Sequence, residues 1–407
     1  MSEPTAVTDW ATDFDHTDPS WGRDPYPIWQ DLRERCPMAH SPRFGGVWLP
    51  TRHEDISAIA YDTEHFTSQG VIVSPTRPRA EPPVGPAPPI TSDPPFHSLA
   101  RRLLLPAFTP KATDQWVEAT RELCRQLLDD LVRSEAPDAA RDYAQHIPVG
   151  VIARMLGLPL EDSDKFRHFI HRIVEDVNGH RPHIPYEETL DCYLDGVIEE
   201  HRRNPQGDLV DYLLGVEIQG QPLSHEHVRG TIALLLIAGI DTTWSAIGAS
   251  LWHLAQHAED RRRLVAEPEI LPLAVEEMLR AYAPVTMARI VAKEVDIGGA
   301  HLDPGDWVLL PFPAANRDPA QFEDPEGVVI DRAVNRHAAF GLGIHRCLGS
   351  NLARMELTVA LEEWLRRIPD FELADPDGVR WSSGQVRGPR SLPVRIVSTS
   401  PADDRQV

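Results

Sequence analysis

The most chemically suggestive stretch of the chain is Phe340-Gly341-Leu342-Gly343-Ile344-His345-Arg346-Cys347-Leu348-Gly349. Gly341 and Gly343 allow tight turning and let the backbone approach a flat group closely. An apolar-periodic segment, Leu348 to Ile368, follows, so the loop delivers one cysteine to the start of a helix. N–H groups at a helix N-terminus stabilise a negative sulfur and lower the thiol pKa, and Arg346 adds positive potential beside it. The arrangement suits a thiolate that ligates a metal centre. The other cysteines, Cys36, Cys124 and Cys192, stand far apart with no C-x-x-C pair, which fits reduced thiols better than a disulfide framework.

A second group is Ala238-Gly239-Ile240-Asp241-Thr242-Thr243, set in a strongly apolar helical run. A mid-helix Gly costs about 1 kcal/mol relative to Ala, and a Thr hydroxyl can compete for ladder hydrogen bonds and bend the helix. The spacing predicts a break there, able to hold water and O2. Leu234, Ile237 and Ala238 lie one or two turns before Thr242, and Val285 and Met287 flank Arg289; these five are expected to line an apolar pocket. Glu277 and Arg280 stand three apart on one helix face, where they can pair. His97 and Arg101, in Asp93-Pro94-Pro95-Phe96-His97-Ser98-Leu99-Ala100-Arg101-Arg102, are four apart and share a face.

In sequence order these groups resemble the cytochrome P450 family. The Cys347 loop matches its haem-binding signature F-x-x-G-x-H-x-C-x-G at every fixed position, Ala238 to Thr243 is similar to the oxygen-activation motif, and Glu277 to Arg280 to the E-x-x-R element. Ala315-Asn316-Arg317-Asp318-Pro319 and Phe322 extend the likeness, which covers nearly the whole chain. The resemblance implies haem b with Cys347 as the iron ligand, and His97, Arg101, Arg289 and His345 about its propionates. It implies that Thr242 orients O2 and a proton-donating water while Asp241 feeds protons from solvent, and that Arg332 completes a structural ion cluster with Glu277 and Arg280. A thiolate ligand pushes electron density that favours O–O cleavage. The implied reaction inserts one oxygen atom into a small to medium apolar substrate, by hydroxylation or O-dealkylation.

Ala283 to Arg289, Leu310 to Pro319 and Asn335 to Leu352 look closest to the haem domains of self-sufficient bacterial fusions. No reductase is expected in this chain, and ferredoxin and ferredoxin reductase are expected to act in trans, docking near Arg102, Arg336, Arg346 and Arg354. A peroxide-driven enzyme is disfavoured by the Asp241-Thr242 pair. A haem sensor or electron-transfer protein would not need that pair.

The elements that must position these groups follow from pattern and bulk. With 407 residues and 42% hydrophobic content the chain can bury a large core, and it is expected to form one cytochrome P450 domain, mainly α with small β-sheets. Residues 1–95 read as a mixed N-terminal part and 96–407 as the helical haem-binding core. From Ser68 to Pro95 dense prolines exclude regular elements and suggest a substrate loop, whose Arg77 and Arg79 read as solvated charge. Strands are expected at Gly46 to Leu49, Arg289 to Val295, Trp307 to Leu310 and Leu392 to Val397, and a short helix at Glu54 to Ala60. A net charge of −22 repels phosphate backbones and anionic lipid, so neither nucleic acid nor membrane is an expected partner. Thr231 to Ile240 is half a bilayer span and reads as a buried helix. Met1 to Trp10 has no signal-peptide character, and a cytoplasmic location is expected.

Overall fold

The computed structural model describes residues 6–73, 85–175 and 185–400. About 53% of the chain is helical, well above the 30–35% of an ordinary globular domain. The helices that build the site are α1 (His53–Tyr61), α2 (Phe96–Leu104), α3 (Val117–Leu131), α4 (His146–Met155), α5 (Leu190–Arg203), α6 (Leu209–Gly215), α7 (His225–Gln256), α8 (Leu271–Ala281) and α9 (Ser350–Arg367).

The centre of the molecule is α7. Ser224 caps it, its hydroxyl accepting from the His227 N–H at 3.1 Å. At 32 residues it spans about 48 Å at 1.5 Å per residue. A helix apolar on nearly every face must be surrounded, and α7 packs against α4, α5, α8 and α9. By length and composition it could cross a bilayer, but 61% of its most apolar window is buried inside the protein. Gly239 faces α4 at close range: a Cβ there would stand 3.1 Å from the Ile152 side chain, tight enough that Ile152 would have to give by a few tenths of an ångström. The expected break at Gly239 to Thr243 is not found. The helix is continuous, because the Thr242 hydroxyl donates to the Ala238 carbonyl at 2.8 Å without displacing the ladder.

The main sheet contains β1 (Met38–Ser41), β2 (Val47–Pro50), β3 (Phe66–Thr67), β4 (Thr286–Val291) and β5 (Trp307–Pro311), in the order β1-β2-β5-β4-β3. Only β2 and β5 run parallel. All five residues of β5 are buried, each large apolar side chain contributing about 1.5–3 kcal/mol. The strand carrying Arg289 starts at Thr286 and ends at Val291, earlier than the apolar run suggests, since Ala292 to Glu294 turn away into a separate hairpin. A further strand, β6 (Pro389–Ser391), lies against α7 near its middle. Within the proline-rich stretch, residues 85–95 form turns and no regular element; Arg77 and Arg79 lie outside the described residues.

Candidate active site

A cavity, partly open to solvent, lies between one face of α7, the N-terminal half of α9, the 339–349 loop, β4 and α2. Leu234, Ala238 and Thr242 reach it from α7, with Val285 and Met287 opposite. Ile237 does not. At 100° per residue it falls beyond the edge of the Leu234–Thr242 face, and it packs instead into the apolar cluster of α4, α5 and α7.

Cys347 lies on the cavity wall, three residues before α9, its N–H donating to the Phe340 carbonyl at 2.7 Å. Gly341 and Gly343 take φ of 71° and 68°, a left-handed backbone that a side chain disfavours. At Gly343 a Cβ would stand 2.2 Å from the Ala60 carbonyl, so the loop rests directly on the backbone of α1. The sulfur opens onto the cavity yet is deep in the protein, and that depth pushes the thiol pKa up. The Gly349 N–H, Arg101, Arg346 and Arg354 all act downward, as the motif suggests, but burial outweighs them. A metal ion supplies the missing positive charge and deprotonates a coordinating thiol outright.

Along the cavity margin stand cations and imidazoles with no ion pair among the described residues, Asp93 being the carboxylate whose field reaches His97 and Arg289. Arg289 is 5% exposed, donates to the Ala288 carbonyl at 2.7 Å and has no ion pair among the described residues; burial lowers its pKa to about 10. His97 is buried with both ring nitrogens lacking a partner. Burial first, then Arg101 and Arg289, holds it neutral with a pKa near 4, and the same forces take His345 to about 2. The two rings meet edge to face at 4.3 Å, and His345 Nε2 is 2.8 Å from the Ser68 hydroxyl. Arg101 donates to the Arg346 carbonyl at 2.5 Å. A pair of carboxylates arriving at this margin would meet two guanidinium groups and could accept from the N–H of His97. A haem, with its propionates and an iron needing a thiolate, fits this donor set.

Asp241 is 1% exposed and is not part of the cavity wall. It pairs with Arg390 of β6 at 2.7 Å, and Arg390 also donates to the Ser245 hydroxyl at 3.0 Å and lies over the Trp244 ring. Glu277 and Arg280 are both fully buried and joined by two bonds of 2.8 Å. Arg332 adds a third at 3.0 Å, and Asn335 and the Val329 N–H donate to the same carboxylate. Burial would raise the Glu277 pKa, but these donors hold it below the ordinary range. Arg280 also donates to the carbonyls of Asn316, Pro325 and Gly327, tying α8 to the segment that leads into the Cys347 loop.

Three residues of the site escaped the sequence reading. Ser68 and Arg390 join partners far away in the chain, and no local pattern signals either. Glu356 had a signal: it is an acid on the apolar face of α9, between Leu352 and Leu357 and Ala360, and it lines the cavity fully buried.

Residues 178–380 match the cytochrome P450 family model. The mycinamicin IV hydroxylase/epoxidase of Micromonospora griseorubida is 34% identical over 375 residues, 89% of this chain and 94% of that protein. The nocardicin C N-oxygenase of Nocardia uniformis is 36% identical over 372 residues, covering 89% and 92%. Among solved structures, CYP109E1 from Bacillus megaterium in complex with testosterone superimposes with a TM-score of 0.83 at 31% identity, over 94% of this chain and all of the other. The chain belongs to the cytochrome P450 family and is a haem-thiolate monooxygenase, an oxidoreductase acting on an organic substrate with O2 and a redox partner.

Proposed function

We propose that Cys347 is the axial ligand of haem b in a single P450 domain, and that the oxygenated substrate is an apolar molecule of small to medium size. The observation that carries the reading is the pairing, across one cavity, of the Cys347 sulfur with Thr242, beside a margin of unpaired cations. Bound there, haem supplies the activation of O2. His97, Arg101, Arg289 and His345 hold its propionates. Thr242 keeps a hydroxyl at the cavity face of α7, its O–H donated to the Ala238 carbonyl and its oxygen able to accept from a water in the cavity, while Asp241, reached through Arg390, connects that helix to solvent. Pro89, Ile90, Leu234, Ala238, Val285 and Met287 form an apolar wall that positions the substrate and excludes water. The ionisable cavity residues, Arg101, Arg289 and Glu356, lie outside this set.

Electrons come from a ferredoxin reduced by its reductase, in the cytoplasm. Arg102, Arg336 and Arg346 are exposed and form no ion pair among the described residues, which suits an acidic partner. Arg354 does not join them, because Glu276 holds it at 2.6 Å. The test of the ligand is the reduced carbon monoxide complex, expected to absorb at roughly 450 nm. Cys347→His should abolish that band; its survival would refute the assignment.

A further inference from the structure

Two buried groups outside the cavity wall face each other across the junction of α7 and α8: Tyr282, which caps the C-terminus of α8, and His253, three residues before the end of α7. His253 Nδ1 is 2.8 Å from the Tyr282 hydroxyl, and its Nε2 is 2.8 Å from Oδ2 of Asp260, on the short helix Ala258–Ala266. A carboxylate only accepts, so Nε2 carries the ring proton and Nδ1 of the neutral imidazole accepts from the phenol. Burial above all holds that ring neutral, with a pKa of about 4. The groups facing it are Asp260, His257, which stacks on it at 4.0 Å, and Glu277 through its field. Phenol, base and orienting acid thus stand in a line. Leu279 and Pro284, three residues before Tyr282 and two after it, line the cavity, so the phenol lies directly behind its wall.

A phenol is hard to oxidise while it keeps its proton, because removing the electron alone leaves a strongly acidic cation. A hydrogen-bonded base takes the proton as the electron leaves, and the product is a neutral phenoxyl. Neutrality matters at this position. Arg280, Arg317 and Arg387 all act on Tyr282 electrostatically, and they oppose a positive ring while leaving a neutral one almost untouched. Burial raises the phenol's pKa, so it rests protonated with its proton aimed at His253. The neighbouring indoles are less suited. Trp252 meets Tyr282 edge to face at 5.6 Å and Trp381 in turn at 5.2 Å, but Arg387 lies 4.0 Å over Trp381 and disfavours a radical cation there.

We propose that Tyr282 is a redox-active tyrosine with His253 as its proton acceptor, and that it discharges the haem when O2 or peroxide is activated with no substrate to receive the oxygen. This rests on the reading that haem occupies the cavity between Cys347 and Thr242. In the step assigned here one electron passes from Tyr282 to the oxidised haem, the phenol O–H bond breaks, and its proton binds His253 Nδ1. The imidazolium formed is paired with the Asp260 carboxylate. A soluble thiolate then supplies one electron through the half-buried Trp252, the proton returns from His253 to the phenoxyl oxygen, and the donor is left as a thiyl radical. Two such electrons, with two protons from solvent, reduce the stranded oxygen atom to water.

The test uses the ferric holoenzyme, with peroxyacetic acid as the oxidant and no organic substrate. Freeze-quenched samples should contain a tyrosyl radical by electron paramagnetic resonance, and 3-fluorotyrosine placed at position 282, a nearly isosteric change, should add a fluorine splitting to that signal. Tyr282→Phe should lose the signal. His253→Gln, which still accepts the hydrogen bond but takes no proton, should lower its yield several-fold. In both variants the haem should bleach several-fold faster under repeated oxidant, while the carbon monoxide band recorded beforehand is unchanged. The fluorinated protein keeps the test decisive even where a side-chain variant loses haem. Absence of a radical in wild type, a signal without fluorine splitting, or an unchanged yield in His253→Gln would overturn the proposal. Failure of the underlying site reading is distinct: it would appear as a carbon monoxide band that survives Cys347→His in the otherwise unaltered protein.

Discussion

Glu277→Gln is the perturbation whose outcome the structure defines most sharply. The carboxylate accepts two bonds from Arg280, one from Arg332, one from Asn335 and one from the Val329 N–H, all at 2.8–3.0 Å. A neutral amide leaves Arg280 as a fully buried cation without its counter-charge, a loss of about 3–5 kcal/mol. An unfolding entropy of about 2.1 cal/mol/K for each of 407 residues gives about 0.85 kcal/mol/K, so Tm should fall by about 4–6 °C. Arg332→Gln leaves the Glu277–Arg280 pair intact; it removes the bond to Glu277, and its two further bonds, to the Glu323 and Asp324 carbonyls, are exposed, so water takes its place there. Its cost is about 1.5 kcal/mol, or about 2 °C. Scanning calorimetry of both holoenzymes at one scan rate measures the difference, and the carbon monoxide spectrum of Glu277→Gln below its transition should be unchanged. Equal shifts in the two variants, or a Glu277→Gln melt within a degree of wild type, would refute the idea that this cluster holds the Cys347 loop through electrostatic pairing.

Thr242→Ala loses one hydroxyl bonded to its own helix, so stability should change by no more than about 1 kcal/mol. Haem content should hold while electrons are diverted to peroxide; tightly coupled product formation would reduce Thr242 to a helix-bonding group. Asp241→Asn should instead slow turnover without uncoupling, a contrast readable from NADH, product and peroxide in one assay. Burial alone would lower the His201 pKa, but its bonds to the Val197 carbonyl and to Asp208 at 2.8 Å raise it. The protonated form therefore stabilises the fold: that contribution is complete below the unfolded value of about 6.5 and is lost as pH rises through the folded pKa. Asp208→Asn preserves the cap on α6, where Oδ1 accepts from Val210 and Asp211, and should remove that slope from urea midpoints measured across this range; an unchanged slope would count against it.

The parts of this site legible in the sequence are those whose partners are local. The Cys347 loop, the Ala238 to Thr243 segment and the Glu277–Arg280 pair each fit within ten residues, so spacing brings their members together, while their roles are what the family resemblance implies. Helical periodicity likewise located α7 and α9. The misplacement of Ile237 came from counting turns without fixing the rotation of α7, which only its packing on α4 determines. The predicted break failed because the cost of Gly239 is met by a helix crossing, a tertiary matter. The thiol shift of Cys347 was read from its neighbours in sequence, whereas its sign depends on how much protein surrounds it. Arg390, 149 residues beyond Asp241 in the numbering, and Ser68, 277 away from His345, are invisible to any local pattern.

The cavity's two sides are secured very differently. The side bearing Cys347 is fastened through Arg280, Glu277, Arg332 and the seating of Gly343 on Ala60, whereas Pro89 and Ile90 approach α7 across a contact of the Pro86 carbonyl with Gly230, where a Cβ would stand 2.3 Å away. That asymmetry makes the protein a fixed tool with an exchangeable jig. Substitutions at Ile90, Leu234 or Gly230 can reshape what is presented to the reactive centre while leaving its anchoring intact, so a laboratory lineage selected for a new substrate has its shortest path through these positions.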